Sequence, residues 1–140
     1  MRYLLDTCVL SELVKKHPDP RVVTWVDARE AVGFLSVLTL GELQKGVAKL
    51  VDGDKRSMLQ DWIDVDLRGR FVGRILPVNE HIASAWGGIT GAAEQRGEKL
   101  PAIDSLLAAT ALVHHLTVAT RNIVDLQRCQ VPVVDPWDQT

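Results

Sequence analysis

Two cysteines in 140 residues, Cys8 and Cys129, are too few for a disulfide framework, and neither sits in a Cys-x-x-Cys or Cys/His spacing that would hold zinc. Such usage fits free thiols in a reducing cytoplasm, with a single bridge left open. The chain also lacks an excess of positive charge. Its formal net charge of −2 argues against a nucleic-acid binder that works by bulk electrostatics alone. It leaves room for an enzyme with local phosphate contacts and an acidic pocket neutralised by metal. The apolar N-terminus is broken by charge within a few residues, at Arg2 and Asp6, too soon for a signal peptide or a span of about 20 apolar residues, so no membrane role is expected. Repeats, low-complexity segments and linkers are absent.

What remains is a composition close to the average of a folded domain, 46% hydrophobic and 24% charged. A chain of this length makes one domain, residues 1–140. Strand-length apolar runs alternate with helix-length segments. Tyr3–Leu5, Val32–Val37, Arg74–Val78, Leu116–Thr120 and Val131–Val134 read as strands, Pro77 placing the third at an edge or at its own end. Between them, helices are expected over residues 8–16, from Pro20 onward with Asp19 as cap, and from Thr39 to about Leu50. Further helices are expected over 55–67, from Asn79 to Ala93 with closure near Gly97, and from Ala102 to His114 or His115. Alternation of this kind predicts an α/β fold, a three-layer α/β/α sandwich around a central, mainly parallel sheet. In such sheets the site lies beyond the carboxyl ends of the strands.

Four acids fall near that edge: Asp6 after the first strand, Glu42 and Asp104 early in helices, and Asp125 after the fourth strand. Singly, each has an ordinary explanation. Asp6 is a helix cap, Glu42 completes a Thr-x-x-Glu capping box with Thr39, Asp104 complements a helix dipole and Asp125 is a turn residue. Jointly they make an oxygen cage for a hard divalent cation, Mg²⁺ or Mn²⁺. Asp104, in a helix apolar almost all round, is expected to be buried and in need of a counter-charge.

The segments Leu4-Leu5-Asp6-Thr7-x-Val9-Leu10-Ser11-Glu12 and Leu35-Ser36-Val37-Leu38-Thr39-Leu40-Gly41-Glu42-Leu43-x-x-Gly46 resemble those of PIN-domain ribonucleases. So do Asp104-Ser105-Leu106-Leu107-Ala108-Ala109-Thr110-Ala111 and Thr117-Val118-Ala119-Thr120-Arg121-Asn122. Within that family the similarity is to VapC- and FitB-like toxins of type II toxin–antitoxin modules, and it covers nearly the whole chain. The resemblance implies Mg²⁺- or Mn²⁺-dependent endonucleolytic cleavage of RNA, with Asp6, Glu42, Asp104 and Asp125 as the catalytic and metal-holding acids. It also implies a homodimer and a cognate antitoxin, with operator DNA reached only through the antitoxin. Thr7, Ser36 and Thr120 are hydroxyls that can support the acids, Asn122 is a polar neighbour of the fourth, and Arg121 is a candidate phosphate contact or a salt-bridge partner of Asp104 or Asp6.

Two positions depart from the family's pattern. Cys8 stands where an asparagine is usual and Leu126 where phenylalanine often follows the fourth acid. A thiol is a weak donor, so the alternative is a catalytically weak binding subunit acting with its antitoxin on operator DNA. A phosphatase with Asp6 as nucleophile would need a second acid where Cys8 stands. Lys45 and Lys49 share a helix face but read as solvated charge, like most of the other cations; the four tryptophans read as core or interface anchors, and His114 and His115 as helix-end cations. Leu10, Leu13, Val14, Val22 and Val26 on the first two helices are expected to exceed the core's needs and form a partner surface.

Overall fold

The computed structural model describes residues 1–138. Five strands, β1 (Tyr3–Leu5), β2 (Gly33–Ser36), β3 (Ile75–Leu76), β4 (Thr117–Ala119) and β5 (Val133–Val134), form one sheet in the order β3-β2-β1-β4-β5. All four pairings are parallel, with Leu4 opposite Phe34 on one side and Val118 on the other. The first strand is therefore central. The third is at an edge and stops at Leu76, just before Pro77, shorter than its five-residue apolar run. Proline has no N–H for the ladder, which ends the strand there.

The period-2 alternation of the strands sorts the core into two halves. Leu5, Leu35 and Ala119 face one helical layer, packed with Val9, Leu10, Val22, Trp25, Val26, Leu43 and Ile63. Leu4 and Val118 face the other, packed with Leu107, Ala108, Ala111 and Leu126. The result is the three-layer α/β/α sandwich. The first layer carries α1 (Thr7–Leu13), α2 (Pro20–Arg29), α3 (Val37–Ala48) and α4 (Asp54–Asp61). Helix α4 runs on through a π-helical stretch, Trp62–Leu67, into α5 (Arg68–Arg70). The second carries α6 (Glu80–Gln95), α7 (Ala102–His114) and α8 (Ile123–Arg128). Among the described residues no helix is long and apolar enough to cross a membrane.

Helix starts follow their caps. Asp19 Oδ1 accepts from Arg21 N–H at 2.9 Å with Pro20 in the first turn, and Asn79 Oδ1 accepts from Ile82 N–H at 3.0 Å. Gly97 closes α6 with φ +79, letting Glu98 N–H reach the Ala93 carbonyl at 2.9 Å. The start of α3 differs from expectation. Ser36, not Thr39, is the cap, its Oγ accepting from Leu38 N–H at 3.0 Å. Thr39 is buried inside the helix, and its hydroxyl finds no hydrogen-bond partner among the described residues. Glu42 is thus released from a capping box and projects from the second turn.

The expected surplus of apolar surface on the first two helices is mostly absent. Leu10, Val22 and Val26 are fully buried in the chain's own core, leaving only Leu13 and Val14 half-exposed. Leu5, Leu35 and Ala119 of the sheet belong to the same packed cluster as these side chains, which takes them into the core.

Candidate active site

Asp6 leaves the sheet directly at the end of β1, where its backbone N–H donates to the Ala119 carbonyl at 3.0 Å. Its side chain caps α1, Oδ1 accepting from Thr7 N–H at 2.8 Å, and Oδ2 accepts from the Thr120 hydroxyl at 2.8 Å. Asp6 is buried, and Thr120 is fully so. The ordinary cap and the candidate site residue are here one side chain. From the same turn, Thr7 Oγ1 donates to Glu42 Oε1 at 2.5 Å, tying α1 to α3.

Asp104 lies in the first turn of α7 and is half-exposed, not buried as its apolar neighbours predict. The apolar face of α7 turns to the sheet, and the helix's N-terminal end opens toward solvent. Asn122 Nδ2 donates to Asp104 Oδ2 at 2.9 Å, and Asn122 N–H donates to Thr120 Oγ1 at 2.9 Å. Asp125, in the first turn of α8, stands 3.8 Å from Arg128 Nη1.

Burial, then the charges of Asp6, Asp125 and Glu42, push the Asp104 carboxyl up to about 6, with the Asn122 amide pulling the other way. Asp6, Glu42 and Asp125 thus stand close enough to Asp104 for their charges to oppose its ionisation, and Asp6, Glu42 and Asp104 line one cleft. Among the described residues no lysine or arginine makes an ion pair with Asp6, Glu42 or Asp104. Nor, among those residues, do three acidic, cysteine or histidine side chains converge to a geometry that grips an ion as they stand. The donor set itself is carboxylate oxygen with uncompensated charge, which suits a hard divalent cation.

These groups line an open cleft of about 550 Å³ bounded by Asp6, Thr7, Cys8, Glu42, Asp104 and Arg121, with Ser11 and Asn122 completing it. Arg121 pairs with neither Asp104 nor Asp6. Its guanidinium stacks over the Trp137 ring at 4.9 Å, an attraction that holds a cation at the rim without cancelling the acids. Ser36 is fully buried and spent on its cap.

Cys8 touches the corner that its sequence position left open. Its Sγ lies 3.8 Å from Asp6 Oδ2 and 3.7 Å from Thr120 Oγ1, and accepts from Arg121 N–H at 3.5 Å. Burial first, and then the Asp6 charge, raise its thiol above the ordinary value. Ser11, to which the sequence motifs assign no role, also lines the cleft; its place one turn after Thr7 on α1 is the sequence signal for it.

The PIN domain family model matches residues 3–128. The toxin FitB of Neisseria gonorrhoeae is 40% identical over 136 residues, covering 96% of this chain and 97% of that protein. The VapC ribonuclease Y4jK of Sinorhizobium fredii is 31% identical, covering 96% and 97%. A solved structure of FitAB bound to an IR36 DNA fragment superposes with a TM-score of 0.92 at 37% identity, covering 99% of this chain and 97% of that one. The chain belongs to the PIN-domain family, and within it is closely related to the VapC- and FitB-type toxins of toxin–antitoxin systems.

Proposed function

We propose that this chain, as a single PIN domain over residues 1–140, is a metal-dependent endoribonuclease and the toxin of a type II toxin–antitoxin pair, working in the cytoplasm. The observation that carries the reading is the corner where Asp6, Glu42, Asp104 and Asp125 repel one another with no basic partner for the first three among the described residues. Those four would hold Mg²⁺ or Mn²⁺. Bound there, the cation supplies phosphate polarisation and a water that ionises near neutral pH.

The protein's own groups prepare the site. Thr120 fixes Asp6, Thr7 fixes one oxygen of Glu42, and Asn122 fixes one oxygen of Asp104, so each carboxylate is anchored on one side while it closes on a cation. Arg121, oriented by Trp137, offers a cation to an RNA phosphate at the cleft's rim. The ribonuclease name of the Sinorhizobium relative and the toxin name of the Neisseria one support this chemistry and role. The solved FitAB complex on DNA supports a cognate antitoxin as partner, with operator DNA reached through it. A homodimer is part of the same proposal.

Cys8 against Asp6 favours a second reading, a catalytically weak subunit that binds with its antitoxin on operator DNA. The two separate on cleavage. Antitoxin-free protein should cut RNA in Mg²⁺ or Mn²⁺ and stop in EDTA; absence of cutting by folded protein would favour the second.

A further inference from the structure

The acid cleft continues along α3. A second groove of about 590 Å³ shares Thr7 and Glu42 with the cleft and runs past Gly41, Lys45, Gly46 and Lys49. Sequence spacing explains the continuity. Glu42, Lys45 and Lys49 lie at i, i+3 and i+7, so they form one stripe on the outer face of α3 while Leu40, Leu43 and Val47 go into the core. At 1.5 Å per residue, the stripe carries positive charge to about 10 Å from Glu42.

Three features of this stripe are unexplained by folding. Lys45 and Lys49 are exposed like charges one turn apart, a mildly unfavourable pair, and among the described residues neither makes an ion pair. Gly41 and Gly46 sit inside the helix, where glycine is costly, yet a Cβ at either would meet nothing within 4 Å. Packing therefore does not require them. Exposed Val37, with Leu38 and Ile103, adds apolar surface to the same groove.

We infer that this stripe is the track for the RNA strand flanking the scissile phosphate, an inference that rests on the ribonuclease reading above. An acidic cleft repels a polyanion, so the strand needs cations beside it. Lys45 and Lys49 supply them on the α3 side, opposite the contribution of Arg121. The glycines leave the helix surface low enough for a sugar-phosphate chain to lie against it, and the apolar residues give the bases a surface to rest on.

The test uses full-length protein and a fluorescein-labelled, mixed-sequence single-stranded RNA. Binding is measured by anisotropy across a salt series in the non-cleaving Asp104→Asn background. Adding Lys45→Gln and Lys49→Gln should lower the salt slope by about 0.7 per lysine and weaken binding roughly tenfold at low salt. Arg68→Gln, before β3 at the opposite end of the sheet, should change neither. In the otherwise wild-type enzyme the lysine pair should raise KM with little change in kcat. An unaltered slope and KM in the double variant, with cleavage intact, would overturn the track and leave the nuclease standing. Loss of poly-L-glutamate binding without loss of RNA binding would also overturn it, in favour of an acidic peptide. Failure of the wild type to bind or cut RNA would overturn both readings together.

Discussion

Asn122 Nδ2 lies 2.9 Å from Asp104 Oδ2, and the Asn122 backbone N–H is 2.9 Å from Thr120 Oγ1, whose own proton goes to Asp6. The turn after β4 thus connects two acids that are 98 positions apart in sequence, Asp6 and Asp104, through one hydroxyl and one amide.

Thr120→Val removes the hydroxyl while keeping the side chain's shape. Because Thr120 is fully buried, Asp6 Oδ2 and Asn122 N–H both lose a partner. The expected cost is about 1–3 kcal/mol of stability by urea unfolding and about 10–100-fold in cleavage or metal affinity. Thr120→Ser should recover most of both.

The raised carboxyl of Asp104 sets a pH dependence in EDTA. Its pKa is about 6 in the folded chain against an ordinary 3.8, so the folded state holds the proton more tightly. The stability this gives is complete below about pH 4 and lost as pH rises through about 6. Solvent screening at a half-exposed group leaves on the order of 1 kcal/mol, a few degrees in Tm. Melting curves should show wild type losing that much relative to Asp104→Asn between acid and neutral pH, with Mg²⁺ restoring wild type only.

Cys8 is expected to be a quiet neighbour of Asp6. Burial first raises its thiol pKa, and burial chiefly pushes Cys129 up to about 11. Neither cysteine should be alkylated by iodoacetamide near neutral pH until the chain unfolds. Cys8→Asn should change cleavage by less than about tenfold, below the roughly 10–100-fold that loss of a supporting contact costs. A far larger gain would show the site to be held back by the thiol, and would favour the binding-subunit reading.

Gly46→Ala tests whether the open surface of α3 is kept at the expense of stability. With space around the new Cβ, helix propensity alone should add about 0.5–1 kcal/mol. Urea unfolding should show the gain; a loss would mean that packing needs the glycine after all.

The fold was legible wherever a period repeats. Strand–helix alternation predicted the parallel sheet, and the burial of Leu4 and Leu5 on opposite faces of β1 follows from period 2. Local competition was less legible. Thr39-x-x-Glu42 has the form of a capping box, but Ser36 captures Leu38 N–H first and starts the helix earlier. Apolar neighbours predicted a buried Asp104, whereas its position at the exposed end of α7 keeps it half-open. Arg121 was expected near Asp6 or Asp104, and only the return of the C-terminal segment brings Trp137 beneath it. Such long-range partners leave no local trace in a sequence.

Metal-dependent cleavage at the acidic corner is the step on which the proposed function stands. It is tested most directly by incubating total RNA with purified, antitoxin-free wild type, Asp6→Asn and Asp104→Asn, each shown to be folded by circular dichroism, in Mg²⁺, Mn²⁺ or EDTA. Wild type should cut in either metal and not in EDTA, and both variants should lose more than about a hundredfold. Cutting that persists in EDTA or in both variants, or no cutting by folded wild type, would contradict that function.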